Sequence, residues 1–228
     1  MLERLFRTEW CLSISTSGTL VAMEKGHFIV IDGGDGAGKD TQIELLKAHY
    51  PDAVYVRDPG GTEMGMKVRD ILQYKEGLAK RAELFLFLAT RNQLVEEVIE
   101  PSLDACKVVI SNRFDLSTLA YQVYGRERTD MLSMLRSMSE FARGECMPDL
   151  YIVLDVSAEV GMARSEARGA RLTRFEKEKI AFHERVREGY LAHAKEYPNS
   201  VVIDANRGEA DVAKDVQAAV KKFLEAHA

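Results

Sequence analysis

Short, almost wholly apolar runs alternate along this chain with longer segments whose apolar residues return at helical spacing. Phe28–Asp32 (FIVID) is the first such run, and it ends in a glycine-rich segment. A short run apolar on both faces reads as a buried parallel strand. Thr41–His49 then reads as a helix, with Ile43, Leu45 and Leu46 on one broad face and Pro51 as its stop. Ala53–Arg57 (AVYVR) is a second strand, closed by Asp58-Pro59-Gly60-Gly61. Helices follow over Met66–Leu72 and Arg81–Ile99, the latter long and strongly apolar, and Pro101 ends or reshapes it. Lys107–Ser111 (KVVIS) is the third strand. Helical patterns over Leu116–Tyr124 and Asp130–Arg143 lead to the fourth, Leu150–Val156 (LYIVLDV). Two charged helical stretches, Ala158–Arg168 and Glu176–Glu196, flank an arginine-rich break. Val201–Asp204 (VVID) is the fifth strand, and Asp211–Ala226 is a closing amphipathic helix.

Five apolar strands separated by helices predict an α/β fold: a parallel sheet with helices on both faces, in three layers. Crossovers in such sheets are right-handed, and ligands bind at the carboxyl ends of the strands. Chemistry-bearing residues are therefore expected just after strands. With 228 residues, one large domain is the better expectation. The net charge of −5 argues against a general nucleic-acid or membrane-surface binder, which needs a basic footprint. Three scattered cysteines, Cys11, Cys106 and Cys146, with no CxxC, fit a reducing, cytoplasmic setting. No apolar run approaches the roughly 18 residues that span a bilayer. Residues 1–22 carry two arginines and a Ser/Thr-rich stretch broken by Thr16, Ser17 and Gly18. That is a poor signal peptide. Residues 1–26 are expected to lie outside the fold, which begins at His27 and runs to 228, with Met23 as an alternative start.

After the first strand the chain reads Gly33-Gly34-Asp35-Gly36-Ala37-Gly38-Lys39-Asp40-Thr41, the GxxxxGK core of a P-loop. Glycines let the backbone fold so that its N–H groups face phosphate oxygens, and the helix N-terminus adds positive potential. Lys39 can reach the β- and γ-phosphates of a nucleotide. The Ser or Thr that usually completes the motif is Asp40 here, so the motif alone is incomplete. A strand before it and a helix after it supply the context it needs. Arg57 and Arg113, at the ends of the second and third strands, would flank one crevice with guanidinium forks suited to phosphate. Taken alone, any one arginine is most often a surface residue. Phe87 and Arg91 lie four apart and share a helix face, in a region whose neighbours Leu84, Phe85, Leu86 and Leu88 also fit a core.

The segments Arg57–Thr62 (RDPGGT), Phe87–Arg91 (FLATR), Asn112–Gln122 (NRFDLSTLAYQ) and Arg168–Glu176 (RGARLTRFE), taken with the P-loop and in this order, resemble the bacterial thymidylate kinases. The resemblance covers about Phe28 to the C-terminus. It implies a P-loop NTPase fold with an arginine-rich lid near 164–176, and transfer of the ATP γ-phosphoryl group to dTMP with Mg²⁺. It implies that Gly33 to Thr41 bind ATP and that Arg57 and Arg113 hold the dTMP phosphate. Asp58 and Arg69 would line the acceptor site, Phe87 would stack on thymine and Arg91 would bond its edge. Thr118, Tyr121 and Gln122 would read the base and crowd out a ribose 2′-hydroxyl. Lys39, Asp35, Arg113, Arg168 and Arg174 would be catalytic, the lid supplying the arginine that the loop lacks. A homodimer is implied too, with the apolar face of Leu84–Val98 as its candidate.

Two positions depart from the family: Asp40 replaces Ser or Thr, and Asn112 replaces Asp. On one reading the carboxylate has moved, so that Asp40, with Asp35, ligates Mg²⁺ while Asn112 orients Arg113 or a water. On the other, Asp40 repels the ATP phosphates and the site is impaired. Thr173 also stands where the family tends to have Asp. Three rival functions share the P-loop. A GTPase lacks support because no NKxD occurs. An adenylate kinase lacks support because its DGFPR-type segment is missing. A nucleotide-binding protein without turnover is the non-enzymatic alternative.

Overall fold

The computed structural model describes residues 25–197 and 199–227 in full, and 11–14 and 20–23 as backbone strands. Seven strands and nine α-helices are found among these residues. β1 (Cys11–Ile14) and β2 (Leu20–Met23) pair antiparallel as a separate two-stranded sheet. This hairpin falls within the stretch expected to lie outside the fold, and it adds no strand to the main sheet. The main sheet begins at β3 (Phe28–Gly33) and continues with β4 (Val54–Arg57), β5 (Val109–Asn112), β6 (Leu150–Asp155) and β7 (Ser200–Asp204). All its ladders are parallel and the order is β4-β5-β3-β6-β7. The sheet thus has the five expected strands in the expected places.

The central strand explains its own composition. Phe28 and Val30 face one core, with Val109, Tyr151 and Val153, while Ile29 and Ile31 face the other, with Ile110, Ile152 and Leu154. Both faces are covered, so alternation disappears from the sequence. The first core is closed by α3 (Lys80–Leu94), α6 (Leu132–Arg143) and α8 (Ile180–His193). The second is closed by α1 (Lys39–His49) and α9 (Glu209–Ala226). Two strands flank β3, on opposite sides of it, so β3 is a topological switch point, and its carboxyl end is where a ligand is expected.

Several helices differ from their expected extents. α2 (Glu63–Tyr74) starts earlier than Met66 because Thr62 caps it, accepting from the Gly65 amide at 2.9 Å. The long apolar helix stops at Leu94, widens into a π-helical turn over Val95–Ile99, and resumes as α4 (Glu100–Asp104) with Pro101 in its first turn, where a missing N–H is harmless. α5 (Asp115–Thr118) likewise opens into a π-helical segment, Leu119–Gly125. Such wide turns cluster at functional sites. α7 (Ala158–Ala167) precedes the lid, and α8 begins only at Ile180 because residues 173–178 form turns. Cys146 is a buried free thiol, whereas Cys106 is disulfide-bonded. Among the described residues, no helix is long and apolar enough to cross a membrane.

Candidate active site

The loop after β3 is built by backbone conformations that side chains resist. Gly33, Gly36 and Gly38 have φ of 144°, 70° and 88°. A Cβ on Gly36 would also meet the Gly161 carbonyl oxygen at 2.0 Å, so the loop lies directly on α7. Gly38 turns the chain from the loop's hollow into α1, whose N-terminus has no side-chain cap. Lys39 curls into that hollow and donates to the Gly33 and Gly34 carbonyls at 3.0 and 2.6 Å. Burial, and then the nearby Arg113 guanidinium, lower its pKa to about 7. Ala37 packs in the core beneath.

Asp32, the last side chain of FIVID, is completely buried. It accepts from Tyr190 at 2.7 Å, from Ser117 at 2.8 and 2.9 Å, from the Gly33 amide at 2.8 Å and from Tyr151 at 3.2 Å. Burial, and then Asp32 itself, push the Tyr190 hydroxyl well up, so it remains a donor. Arg113 completes the cluster. Its Nη1 donates to Tyr190 at 2.8 Å and the Gly33 carbonyl at 3.0 Å, and its Nη2 to Asp35 at 2.8 Å and Tyr121 at 3.0 Å. Burial works against its charge, but Tyr121, Tyr190, Asp35 and Asp32 hold its pKa well above the ordinary value. Its φ of 71° is unusual for a side chain of this size and is held by those bonds. Asp32, Ser117 and Tyr190 were missed in the sequence. The one available signal was a carboxylate ending an otherwise apolar strand.

Arg57 ends β4, and the parallel ladder sets its Cα beside Asn112. One oxygen of Asp40 receives both groups: the Asn112 amide at 2.6 Å and the Arg57 guanidinium, in a short ion pair. Asn112 therefore bonds Asp40, not the Arg113 side chain. Arg69 donates to the Pro59 carbonyl at 2.8 Å. Burial, then Arg57 and Arg113, lower its pKa to about 10. The Arg57 and Arg113 charges thus lie close enough to Arg69 to disfavour its own, an arrangement suited to a multiply charged anion.

These groups line one cavity of about 600 Å³. It gathers Asp35, Gly36, Gly38, Lys39, Asp40, Thr41, Arg57, Asp58, Arg69, Phe87, Arg91, Arg113, Thr118, Tyr121, Gln122 and Arg168. Gly33, Gly34, Ala37 and Arg174 are not on its wall. Gly33 and Gly34 act through their carbonyls on Lys39. Arg91 is buried, donating to Asp58 at 2.6 Å, Ser139 at 3.2 Å and the Phe114 carbonyl at 3.1 Å, so Asp58 serves first as the anchor of Arg91. Burial pushes the Asp58 carboxyl up, and Arg91 opposes this. Phe175 from the lid segment packs edge-on to Tyr121 at 5.6 Å and tilted to Phe87 at 6.1 Å between ring centroids.

Each lid arginine has a partner. Arg164 donates to the Ala205 and Arg207 carbonyls, Arg168 pairs with Glu176 at 2.7 Å, and Arg171 lies over the Tyr74 ring at 4.5 Å. Arg174, expected to be catalytic, is turned away from the cavity. It donates to the Leu72 carbonyl at 2.8 Å and to Glu83 at 2.9 Å, two acceptors that outcompete an open, solvated position.

The model of the thymidylate kinase family matches residues 31–216 of this sequence. The chain belongs to that family. The thymidylate kinase of Legionella pneumophila (strain Corby) is 40% identical over 207 residues, covering 88% of this chain and 96% of that protein. The thymidylate kinase of Desulfovibrio desulfuricans is 42% identical over 210 residues, covering 86% and 96%. The crystal structure of thymidylate kinase from Ehrlichia chaffeensis superposes with a TM-score of 0.67 at 30% identity, covering 86% of this chain and 98% of that one. The five-stranded parallel sheet and its P-loop are thus those of the family.

A divalent cation has a donor set here, although no group of three His, Cys, Asp or Glu forms a cage among the described residues. Asp35 Oδ1 is bonded to Arg113, but its buried Oδ2 has no partner. Asp40 offers an exposed carboxylate. One or two carboxylates with water and phosphate oxygens suit Mg²⁺.

The lowered pKa of Lys39 has a consequence for ligand binding. Nucleotide phosphates would raise it from about 7 toward its ordinary value, so at pH 8 ATP binding should take up a proton. Calorimetry in buffers of different ionisation enthalpy measures this. Uptake near one proton is expected, diminishing as pH falls through about 7 and nearly absent below about 6, and Lys39→Met should abolish it.

Proposed function

We propose that this chain transfers the γ-phosphoryl group of ATP to dTMP, giving dTDP and ADP. The observation that carries this is the convergence of Arg57, Arg69 and Arg113 opposite the Lys39 loop in one cavity. A phosphate-bearing acceptor would face a polyphosphate donor across it. An oxygen of the dTMP phosphate attacks the γ-phosphorus, and the bond to the bridging oxygen of ADP breaks. The acceptor dianion is already nucleophilic near neutrality, so positioning and charge stabilisation carry the catalysis.

Lys39 and the loop amides stabilise the transferring group, while Arg57 and Arg113 fix the acceptor. Arg69 and Asp58 complete the acceptor side. Phe87 stacks on the base, with Arg91, Thr118, Tyr121 and Gln122 around its edge. Arg168, already at the cavity, supplies the lid charge. Arg174 would have to leave Glu83 to do so. Mg²⁺, when bound by Asp40 and Asp35, would neutralise charge between the β- and γ-phosphates. The enzyme acts in the cytoplasm on free nucleotides. Its kinase domain comprises residues 27–228, with 1–26 outside it.

The homodimer surface is assigned differently from the sequence expectation. Leu84, Leu88, Leu94 and Val95 are buried in the chain's own core. Phe85 on α3, with Met134 and Phe141 on the adjoining α6, remain exposed, Phe141 at 89%. Such side chains gain most from a second copy.

A second reading follows from the Asp40–Arg57 ion pair, which sets a carboxylate against an arginine that the acceptor needs. In it, the protein binds nucleotide without turnover. A coupled ADP-release assay with Mg²⁺-ATP against dTMP, dUMP, UMP, AMP and GMP decides between them. Turnover preferring dTMP is expected, and bound nucleotide with no turnover supports the second reading. If Asp40 and Asn112 work as one unit, Asp40→Thr and Asn112→Asp should each lower kcat/KM by about tenfold or more, and the double variant should recover most of it. Phe141→Asp should shift the protein from dimer to monomer in sedimentation velocity, with its melting temperature little changed.

A further inference from the structure

Glu83 is a charged residue buried to 1% exposure on α3, in the apolar stretch that reads as core. Its two oxygens divide their partners. Oε2 receives Arg174 at 2.9 Å and Arg126 at 3.3 Å. Oε1 receives the Gln122 side-chain amide nitrogen at 3.1 Å. A carboxylate between two guanidinium groups accepts on both oxygens and donates on neither. The Gln122 amide must therefore turn its NH₂ toward Glu83, because its carbonyl oxygen would otherwise face a carboxylate oxygen. Gln122 Oε1 accepts no hydrogen bond among the described residues, and Gln122 lines the large cavity. One helical turn earlier, the Thr118 hydroxyl is buried on the same wall without a partner.

We propose that Glu83 is a positioning residue for base selection, locking the Gln122 amide so that its carbonyl oxygen faces the acceptor base. This rests on the dTMP kinase reading and deepens it. A carbonyl acceptor matches a pyrimidine that carries N–H at N3, as thymine does. It opposes one that carries a lone pair there, as cytosine does, because two acceptors then meet without a proton between them. Selection is thus made by a group that does not itself touch the base. The same carboxylate holds Arg174, so the base wall and the lid segment share one anchor.

Glu83→Gln tests this. A glutamine can donate to Gln122 Oε1 and so permits the reversed amide. The ratio of the dCMP and dTMP dissociation constants, measured by calorimetry on the full chain, should contract by about tenfold, mainly through weaker dTMP binding. Glu83→Asp keeps the charge for the two arginines but withdraws the oxygen from Gln122, and should contract the ratio in the same direction. In a Gln122→Leu background, Glu83→Gln should leave the ratio unchanged. A purely structural role would lower the melting temperature and weaken both ligands alike. An unchanged ratio in the Glu83 variants, or an equal contraction without Gln122, overturns the proposal. Wild-type protein that fails to phosphorylate dTMP overturns the kinase reading instead.

Discussion

The Asp32 carboxylate sits out of solvent at the end of the central strand, and the rest of the site is arranged around it. A buried carboxylate persists only when donors surround it, and here Tyr190, Ser117, Tyr151, the Gly33 amide and Arg113 do so. Each donor comes from a different place: α8, α5, β6, the P-loop and the residue after β5. Breaking such a cluster typically costs about 3–5 kcal/mol, because the remaining charges stay buried without partners. The cluster therefore sets the position of Arg113, and through Arg113 that of Asp35 and Tyr121. The loop after β3, Arg113 and the Tyr121 wall of the cavity are held in register by one anion.

Beside it, Asp40 and Asn112 form a complementary pair. A carboxylate at residue 112 would bring two anions to within hydrogen-bonding distance, so Asn112 is the residue that lets Asp40 stand at the head of α1. Asp40 in turn steadies Arg57. This interaction involves exposed groups and is correspondingly weak, so an anionic ligand can take Arg57 over.

The lid is anchored by buried groups at one end and by more exposed ones at the other. Residues after Thr173 are fastened to α2 and α3 by Arg174, and Phe175 is wedged beside Phe87 and Tyr121. Arg168 and Arg171 instead pair with Glu176 and lie over the Tyr74 ring. Closure over a nucleotide would exchange these weaker contacts for phosphate and leave the anchor in place. The same anchor, Glu83, contacts Gln122, so that the order of the base wall and the order of the lid have a common origin.

What the sequence determined by itself was what local patterning encodes. Apolar runs fixed the five strands, glycines at Gly33, Gly36 and Gly38 fixed the P-loop, and arginines at the ends of β4 and β5 marked the cavity. These signals are short-range, and each rests on the period of a strand, the φ freedom of glycine or the position after a strand. Helix ends were less legible. The π-helical turns at Val95–Ile99 and Leu119–Gly125 depend on packing that the helical period does not carry. Tertiary structure alone decided which charged residues are ligand groups and which are supports. Arg174 and Arg168 are six residues apart and alike in sequence, yet one is held by Glu83 and the other faces the cavity. Asp32 and Glu83 read as isolated polar residues in apolar segments, and Tyr190 as one residue of a charged helix. Their roles come from partners far away in the chain, which only the folded arrangement of β3, α3 and α8 brings within hydrogen-bonding distance.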